Sequence, residues 1–167
     1  MGNSNPKVNG GFGPTFRYKS LTCNMFFNFR YGNKIINAAR MNAENMFYDN
    51  NQSIAVNWRW RKDGDVTNMP RALHKWGYNW LGSDRYVEDG SFLRFKYLQF
   101  AYSVPPAILK PIGIKKASAY INFNNVAVWT KYTGVDPEVG YGSLGVSSDN
   151  NSTPRSKDVT LGISIGL

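Results

Sequence analysis

The sequence predicts an all-β protein whose strands form one antiparallel sheet, and three observations support this fold class. Five segments of the 167-residue chain alternate apolar with polar residues, and a period of two is typical of a strand with one apolar and one polar face. Aromatic residues make up 15% of the chain and charged residues only 19%, a composition that favours pleated surfaces. The connections alternate between short and long, as expected for a series of hairpins.

The first two strands are predicted at 12–18 and 21–31. Aromatic and aliphatic side chains recur on one parity of each segment, while asparagine, threonine and arginine occupy the other. Only Lys19 and Ser20 separate the segments, so we expect a hairpin with a tight turn. Cys23, on the apolar parity, is expected to be a small side chain of the apolar face.

The third and fourth strands are predicted at 91–104 and 115–126. In the third strand the apolar residues change from odd to even positions near Lys96 and Tyr97. One extra residue in a strand re-aims every side chain that follows, so this change of parity predicts a β-bulge. The prolines of the link 105–114 end the strand.

The last strand is predicted at 158–167, where the apolar parity is filled without interruption. About ten residues are enough for a tilted strand to cross a bilayer. The last strand of a soluble β-sandwich shows the same alternation, and from this segment alone the soluble interpretation is the commoner one. The apolar residues are Val159, Leu161, Ile163, Ile165 and Leu167.

Two long connections, 32–90 and 127–157, separate the strands, and short helices are predicted in the first of them at 34–47 and 53–60. Short turns alternating with long loops are typical of outer-membrane barrels. In lipid every backbone polar group needs a partner, so five strands in a membrane would be part of a larger barrel. A soluble sandwich shows the same alternating faces, and the pattern alone leaves both interpretations open.

Residues that commonly carry catalysis or hold metals are sparse in this chain. It contains a single cysteine and a single histidine, His74, too few for a metal cluster or a histidine-based catalytic arrangement. The acidic pairs Asp63 with Asp65 and Asp136 with Glu138 are expected to be loop residues. We therefore expect no enzyme activity, no metal site and no cofactor.

The net charge of +9 at pH 7 raises the alternative of a soluble, basic, β-rich module that binds glycan or nucleic acid on exposed aromatic residues. The densest basic group, residues 59–62, is too short for a nucleic-acid-binding tail. The glycine- and aromatic-rich run of RNA-recognition motifs is also missing. Nucleic acid is therefore not expected as a partner.

Several ordered motifs resemble a known family. Residues 88–98 read EDGSFLRFKYL and residues 100–105 read FAYSVP. Together they resemble the C-terminal barrel region of SusC/RagA-family TonB-dependent outer-membrane transporters, where the pattern is close to EDGSFLRLKNLTLGYTLP. The likeness continues through residues 129–138, WTKYTGVDPE. With further matches near both ends, the resemblance covers nearly the whole chain.

This resemblance implies a fold and a location. The five strands would be a segment of an antiparallel transmembrane β-barrel of the 22-stranded type, in the outer membrane of a Gram-negative cell, with the plug domain absent from this chain. The turns at 19–20 and 105–114 would face the periplasm. The loops 32–90 and 127–157 would be extracellular.

The resemblance also implies a function and partners. Transporters of this family import glycans or peptides, and their extracellular loops contact the substrate and a SusD-like lipoprotein. The other implied partners are the upstream barrel strands and plug, the TonB system, outer-membrane lipid and the barrel-assembly machinery. That machinery reads the final strand, so the implied assembly signal is the apolar row of 158–167. The family commonly ends in Phe, whereas this chain ends in Leu167.

Three groups of side chains are candidates for these roles. Exposed indoles in the loop 32–90 would contact substrate or partner, the alternative being that they pack the core of the loop itself: Trp58, Trp60, Trp76 and Trp80. Cations on the polar parity would line the lumen: Arg17, Arg94 and Lys96. Aromatic residues near strand ends would suit a membrane-interface girdle: Tyr31, Tyr102 and Trp129.

Overall fold

The computed structural model describes residues 2–73, 83–138 and 147–166. The chain divides into two compact units. The first, here called the sheet unit, consists of Pro6–Gly32, Ser91–Lys131 and Pro154–Leu167. The second, here called the loop unit, consists of Met1–Asn5, Asn33–Gly90 and Tyr132–Thr153.

Most of the regular structure is strand. In chain order the strands are β1 (Val8–Phe12), β2 (Thr15–Tyr18), β3 (Leu21–Tyr31), β4 (Lys34–Asn37), β5 (Val87–Asp89), β6 (Phe92–Ser103), β7 (Lys116–Thr130), β8 (Ser148–Asp149) and β9 (Asp158–Gly166). The helices are α1 (Ala38–Ala43) and α2 (Pro106–Leu109), and 3-10 turns lie at Ile54–Trp58, Asp84–Tyr86 and Lys110–Ile112. No helix in the described ranges is long and apolar enough to cross a membrane.

The sheet unit is an antiparallel sheet in the order β1-β3-β6-β7-β9, with β2 also paired to β3. Strands β1 and β2 pair with opposite ends of β3, so they form one strand with a break at Gly13 and Pro14. Proline has no N–H for the ladder, but its carbonyl accepts a hydrogen bond of 3.0 Å from the N–H of Met25. The predicted all-β antiparallel fold class is confirmed.

Strand structure begins at Val8, earlier than the alternation predicts. The alternation begins only at Phe12, because the glycines at 10 and 11 have no side chain to show a period. They nevertheless pair with β3, where a Cβ on Gly10 would lie 3.2 Å from the Phe29 ring and one on Gly11 would lie 2.8 Å from the Phe26 ring. Aromatic rings covering strand glycines restore the packing that glycine lacks.

The predicted bulge is confirmed at Lys96. Against β3, Phe26 pairs with Tyr97 and Phe27 pairs with Phe95, so Lys96 has no register partner. Against β7 the register also shifts between Phe95 and Tyr97, opposite Asn125, which has a positive φ of 50°. The bulge restores one apolar face on both sides of the parity change.

The helix predicted at 34–47 is largely wrong. Lys34–Asn37 is strand β4, which pairs antiparallel with β5 and parallel with β8, and only Ala38–Ala43 is helical. Asn37 begins the helix, because its side-chain oxygen accepts a hydrogen bond of 2.9 Å from the N–H of Arg40. The helical turn predicted at 53–60 is a 3-10 turn, Ile54–Trp58.

The loop unit has a small core that consists of two clusters. Ile35 packs with Tyr132 in one cluster, and Met46, Val56 and Met69 form another. Its three-stranded sheet has the order β5-β4-β8, which draws together segments that are far apart in sequence.

Candidate functional site

The strand register of the sheet unit separates an apolar face from a polar face. One row across the strands consists of Phe16, Cys23, Phe100, Ile121 and Leu161. The neighbouring row consists of Thr15, Asn24, Gln99, Asn122 and Thr160. The face carrying the first row is called the apolar face below, and the face carrying the second row is called the polar face. A slip of one residue in any pair would exchange the two faces, so the pattern specifies the register.

The apolar face is covered only lightly by other parts of the chain. Its side chains on β9 are 59% to 78% exposed at Val159, Leu161, Ile163 and Ile165. Phenylalanines stack across three strands on the same face, with ring centroids 5.0 Å apart for Phe12–Phe27 and 4.4 Å apart for Phe27–Phe95. An exposed apolar surface that runs across every strand of a sheet indicates contact with lipid or another protein.

Aromatic residues lie at both ends of the apolar face. Tyr31 ends β3 and Trp129 lies near the end of β7, while Tyr18 and Tyr102 lie at the opposite end, where they pair with Leu21. Ten residue steps of about 3.4 Å, tilted by about 45°, span roughly 24 Å. That height matches the apolar band of a transmembrane barrel, about 25 Å, between its two aromatic girdles.

The polar face carries hydrogen-bonding and charged side chains. Asn24 donates a hydrogen bond of 2.9 Å to Gln99 across β3 and β6. Arg30 and Arg94 both lie against the ring of Phe92, with guanidinium-to-centroid distances of 5.7 Å and 5.8 Å. Arg94, one of the three predicted lumen cations, is 4% exposed. Its contact with the Phe92 ring is a cation–π interaction.

The other two predicted lumen cations have different surroundings. Arg17 is exposed in β2 and pairs with Thr22, in the polar row that also contains Tyr120 and Gly162. Lys96 is exposed at the bulge. For Arg94 as for these two residues, the assignment to a lumen stays a prediction.

The final strand combines exposed apolar residues with one closely covered glycine. A Cβ on Gly162 would lie 2.2 Å from the Tyr120 ring, so that ring lies against the bare backbone of β9. Within the described part of the chain, β9 pairs only with β7. Leu167, the last residue of the predicted assembly signal, lies outside the described residues.

The loop unit is held by an ion network around Glu44. One carboxylate oxygen accepts a hydrogen bond of 2.8 Å from Nε of Arg40. The other accepts hydrogen bonds of 3.2 Å and 3.1 Å from Arg85 and one of 3.2 Å from the hydroxyl of Tyr86. Buried charges are tolerated only when paired and hydrogen-bonded in this way.

Glu88 extends this network to a third segment. It accepts hydrogen bonds from Asn37 at 3.1 Å, from Arg40 at 3.2 Å, and from the backbone and hydroxyl of Thr133 at 2.9 Å and 2.8 Å. Burial by itself would raise the pKa of Glu88, but these donors outweigh burial and hold the pKa below its ordinary value. Glu88 therefore joins the segments around 37–40 and 133 as a carboxylate.

Two buried tyrosines stay protonated in the same unit. Burial raises the pKa of Tyr86, and the nearby charge of Glu44 raises it further. Burial also raises the pKa of Tyr132, whose hydroxyl donates a hydrogen bond of 2.7 Å to Asp149. Each phenol is thus kept neutral as a hydrogen-bond donor to a carboxylate.

The structure describes two of the four candidate tryptophans. Trp58 ends a 3-10 turn and is 65% exposed, whereas Trp60 is half-buried and lines an open groove with Pro70 and Arg71. Trp76, Trp80 and the lone histidine, His74, lie outside the described residues. Contact of these indoles with substrate or partner stays a prediction.

Sequence reasoning missed the network of the loop unit and the position of Arg30. Glu44 lies in the segment predicted as a short helix at 34–47, and its partner Arg85 is 41 residues away. One available signal was Glu88 in the EDGS motif, because an acidic residue beside a strand of alternating polarity needs a specific partner if it is buried.

Comparisons with known proteins agree on one kind of protein. No family model matches the chain. The chain is similar to TonB-dependent receptor P26 of Formosa agariphila, with 27% identity over 171 residues that cover 99% of this chain and 17% of that receptor. It is similar to TonB-dependent receptor P3 of the same organism, with 28% identity over 172 residues and the same coverage.

Solved structures show the same likeness. The RagAB peptide importer in its open-open state matches with a TM-score of 0.81 and 27% identity, covering 98% of this chain and 17% of that chain. The closed-closed state matches with a TM-score of 0.79, covering 97% of this chain and 17% of that chain. The chain therefore spans about a sixth of the length of the proteins that it matches. It is homologous to TonB-dependent receptors throughout its own length. Its fold is that of a RagA-type barrel segment.

Proposed function

We propose that this chain, a homologue of TonB-dependent receptors, forms part of the wall and extracellular loops of a SusC/RagA-type importer in the Gram-negative outer membrane. It takes part in the uptake of glycans or peptides and catalyses no reaction. The remaining barrel strands and the plug come from the rest of the transporter.

One observation carries this proposal: the apolar face runs across every strand of the sheet unit and is exposed. In water such a face would drive association with other proteins. In a bilayer the hydrocarbon chains of the lipid would cover it. The opposite face carries Arg17 and Arg94, and an arginine at the bilayer midplane would cost about 2–4 kcal/mol if it faced lipid. The sheet therefore suits a barrel wall with lipid outside and a polar lumen inside.

The edges of the sheet support the same proposal. Edge strands such as β9 present unpaired backbone groups, and in a bilayer these groups need further strands. In our proposal the barrel-assembly machinery recognises β9 and pairs it with strands of the remaining barrel. Energy reaches the plug through the TonB system.

The loop unit takes the extracellular role in this proposal. Its two longer segments lie in the long connections 32–90 and 127–157, which face a SusD-like lipoprotein in this proposal. The likeness to the RagAB peptide importer supports a SusD-like lipoprotein as partner and a glycan or peptide as substrate. The ion network around Glu44 would hold the loops in one shape for that contact.

Spin labels on β9 test the proposal. In the complete transporter carrying Cys23→Ser, single cysteines replacing Leu161 and Thr160 are labelled with a nitroxide, and collisions with oxygen and with a water-soluble nickel complex are measured. We expect the label at 161 to meet oxygen and exclude nickel, because it lies in lipid, and the matched label at 160 to show lower access to oxygen.

The same measurement separates the proposal from its alternative. A soluble basic β-rich module for glycan or nucleic acid would expose position 161 to the nickel complex, and the chain would remain monomeric without detergent. High access of the nickel complex to the label at 161 would therefore contradict the importer proposal and favour the soluble module.

A further inference from the structure

We infer that the loop unit binds an anionic saccharide in a groove beside Trp58, with a sugar ring on the indole and its carboxylate or sulfate on Arg61 and Lys62. The inference names a substrate class and rests on the proposed import function. It adds the charge of the ligand and the residues that recognise it.

The groove places two exposed apolar side chains next to cations. Its volume is about 440 Å³, and its lining includes Trp58, Arg61, Lys62, Asp65 and Val66. The Trp58 side chain is 65% exposed and that of Val66 is fully exposed. Large apolar side chains left open beside charged ones are suited to a ligand with both an apolar face and a charge.

Hydrogen bonds hold the loop around the groove in one conformation. The Thr67 hydroxyl donates a bond of 2.6 Å to the carbonyl of Trp58, and the N–H of Trp60 donates one of 3.0 Å to the carbonyl of Met69. Loop geometry set before binding lowers the entropy that a ligand must remove.

The single acidic residue that lines the groove is directed to the backbone. Oδ2 of Asp65 accepts hydrogen bonds of 2.9 Å and 3.1 Å from the N–H groups of Arg61 and Lys62. Asp65 therefore shapes the turn that presents these two residues, although its negative charge offsets part of their attraction for an anion.

The cations of the groove are available for an anion. Arg59 and Arg61 donate to the carbonyls of Val56 and Asn57, at 3.2 Å and 3.0 Å, which are neutral acceptors. Within the described part of the chain, Arg59, Arg61 and Lys62 form no ion pair with a carboxylate. Guanidinium N–H groups form their strongest bonds with carboxylate-like oxygens.

The combination favours an anionic saccharide over other ligands. The flat C–H face of a pyranose ring matches an indole, and a uronic acid or sulfated sugar adds the negative charge that Arg61 and Lys62 attract. A neutral sugar would leave the cations unused. An acidic peptide would satisfy the cations but has no rigid flat face for Trp58.

Binding is measured on the purified complete transporter with four probes: oligogalacturonate, sulfated dextran, neutral dextran and polyglutamate. We expect the two anionic saccharides to bind roughly tenfold more tightly than neutral dextran, because each anion forms charge-assisted hydrogen bonds. Their affinity should fall as salt rises, since exposed charges are screened.

Variants assign the effect to the groove. The double variant Arg61→Gln with Lys62→Gln should lose most of the preference for anionic saccharides and most of the salt dependence. Trp58→Ala should weaken saccharide binding roughly tenfold, an amount typical of a lost stacking contact, and Trp58→Phe should restore part of it. Lys110→Gln, which removes an exposed cation of the sheet unit, is the matched control and should change nothing.

Three outcomes would overturn the inference. Equal affinity for neutral dextran and sulfated dextran would show that the site does not select an anionic saccharide. Polyglutamate binding as tightly as oligogalacturonate, unaffected by Trp58→Ala, would make the ligand an acidic peptide. Unchanged binding by all groove variants would place the site elsewhere. If binding fails these tests while the labels on β9 show lipid contact, only the groove inference is overturned and the import proposal stands. If the labels show no lipid contact, the proposed import function itself is contradicted.

Discussion

The sheet unit and the loop unit place their apolar side chains in opposite ways. In the sheet unit these side chains line an outer face, whereas in the loop unit Ile35, Met69 and Tyr86 are 1%, 2% and 0% exposed. The loop unit follows the usual rule for water, with apolar groups inside. The sheet unit reverses this rule, because its apolar side chains lie on an exposed face, which is the arrangement expected of a wall in contact with lipid.

The two units also differ in how they hold charge. The loop unit buries Glu44 and pairs it with Arg40 and Arg85, so loss of one partner would leave a buried charge uncompensated. The sheet unit depends on backbone ladders and on which face each residue occupies. Charge substitutions should therefore damage the loop unit when they remove a partner, and the sheet unit when they add a charge to the wrong face.

The largest effect is expected from Glu44→Ala in the loop unit. Removing one partner from a buried ion pair costs about 3–5 kcal/mol, because the remaining charge stays buried. Hydrogen exchange measured by mass spectrometry should show faster exchange around residues 38–44 and 85–88, while peptides from β7 keep their protection.

Asp63→Ala is the matched control for this prediction, since it removes an exposed carboxylate from the same unit. Its effect should stay within about 0.5 kcal/mol. If both variants exchange alike, the Glu44 network does not hold the unit together.

A somewhat smaller effect is expected from Leu161→Arg in the sheet unit. An arginine facing lipid near the midplane costs about 2–4 kcal/mol, so the amount of folded transporter in the outer membrane should fall. Thr160→Arg adds the same charge one residue away on the polar face and should be tolerated better. Equal loss for both variants would contradict the assignment of the apolar face.

The smallest effect concerns pH and Glu88. Because hydrogen bonds lower the pKa of Glu88 in the folded state, it contributes stability above its unfolded pKa, and that stability is lost as pH falls through the folded pKa. Protection of the loop unit should therefore decline in acid, below the ordinary range of a glutamate.

In the Glu88→Gln variant the loop unit should be less stable at neutral pH than in the unmodified protein. Its stability should fall less on acidification, because glutamine does not titrate. The measurement is hydrogen exchange of residues 85–88 as a function of pH, with β7 peptides as the internal reference. A parallel decline in variant and unmodified protein would show that other groups set the acid response.

The sheet unit could be predicted from sequence in nearly every respect. Its side chains alternate with a period of two, and this period determines which residues share a face and which register keeps that face continuous. Even the bulge at Lys96 was visible as a change of parity. One exception was β1, where Gly10 and Gly11 have no side chain to carry the signal. Another was the end of β7, because residues 127–130 were predicted as loop but continue the strand to Thr130.

The loop unit could not be predicted in this way, and the error at 34–47 shows the reason. The segment has the composition of a helix, but Lys34–Asn37 gains more from pairing with β5 and β8 than from continuing α1, so tertiary context overrides local preference. The half-burial of Trp60 and the exposure of Trp58 were likewise undecided, because both indoles lie in one aperiodic loop.

The sequence by itself determined the sheet, its two faces and the kind of protein that it resembles, because those properties follow from a local period and from ordered motifs. Only the tertiary structure showed that Glu44 joins Arg40 and Arg85, that Arg30 and Arg94 meet on Phe92, and that a basic groove forms beside Trp58. These contacts join residues through the folded path of the chain, and attraction between charges or rings depends on distance in space rather than on spacing along the sequence.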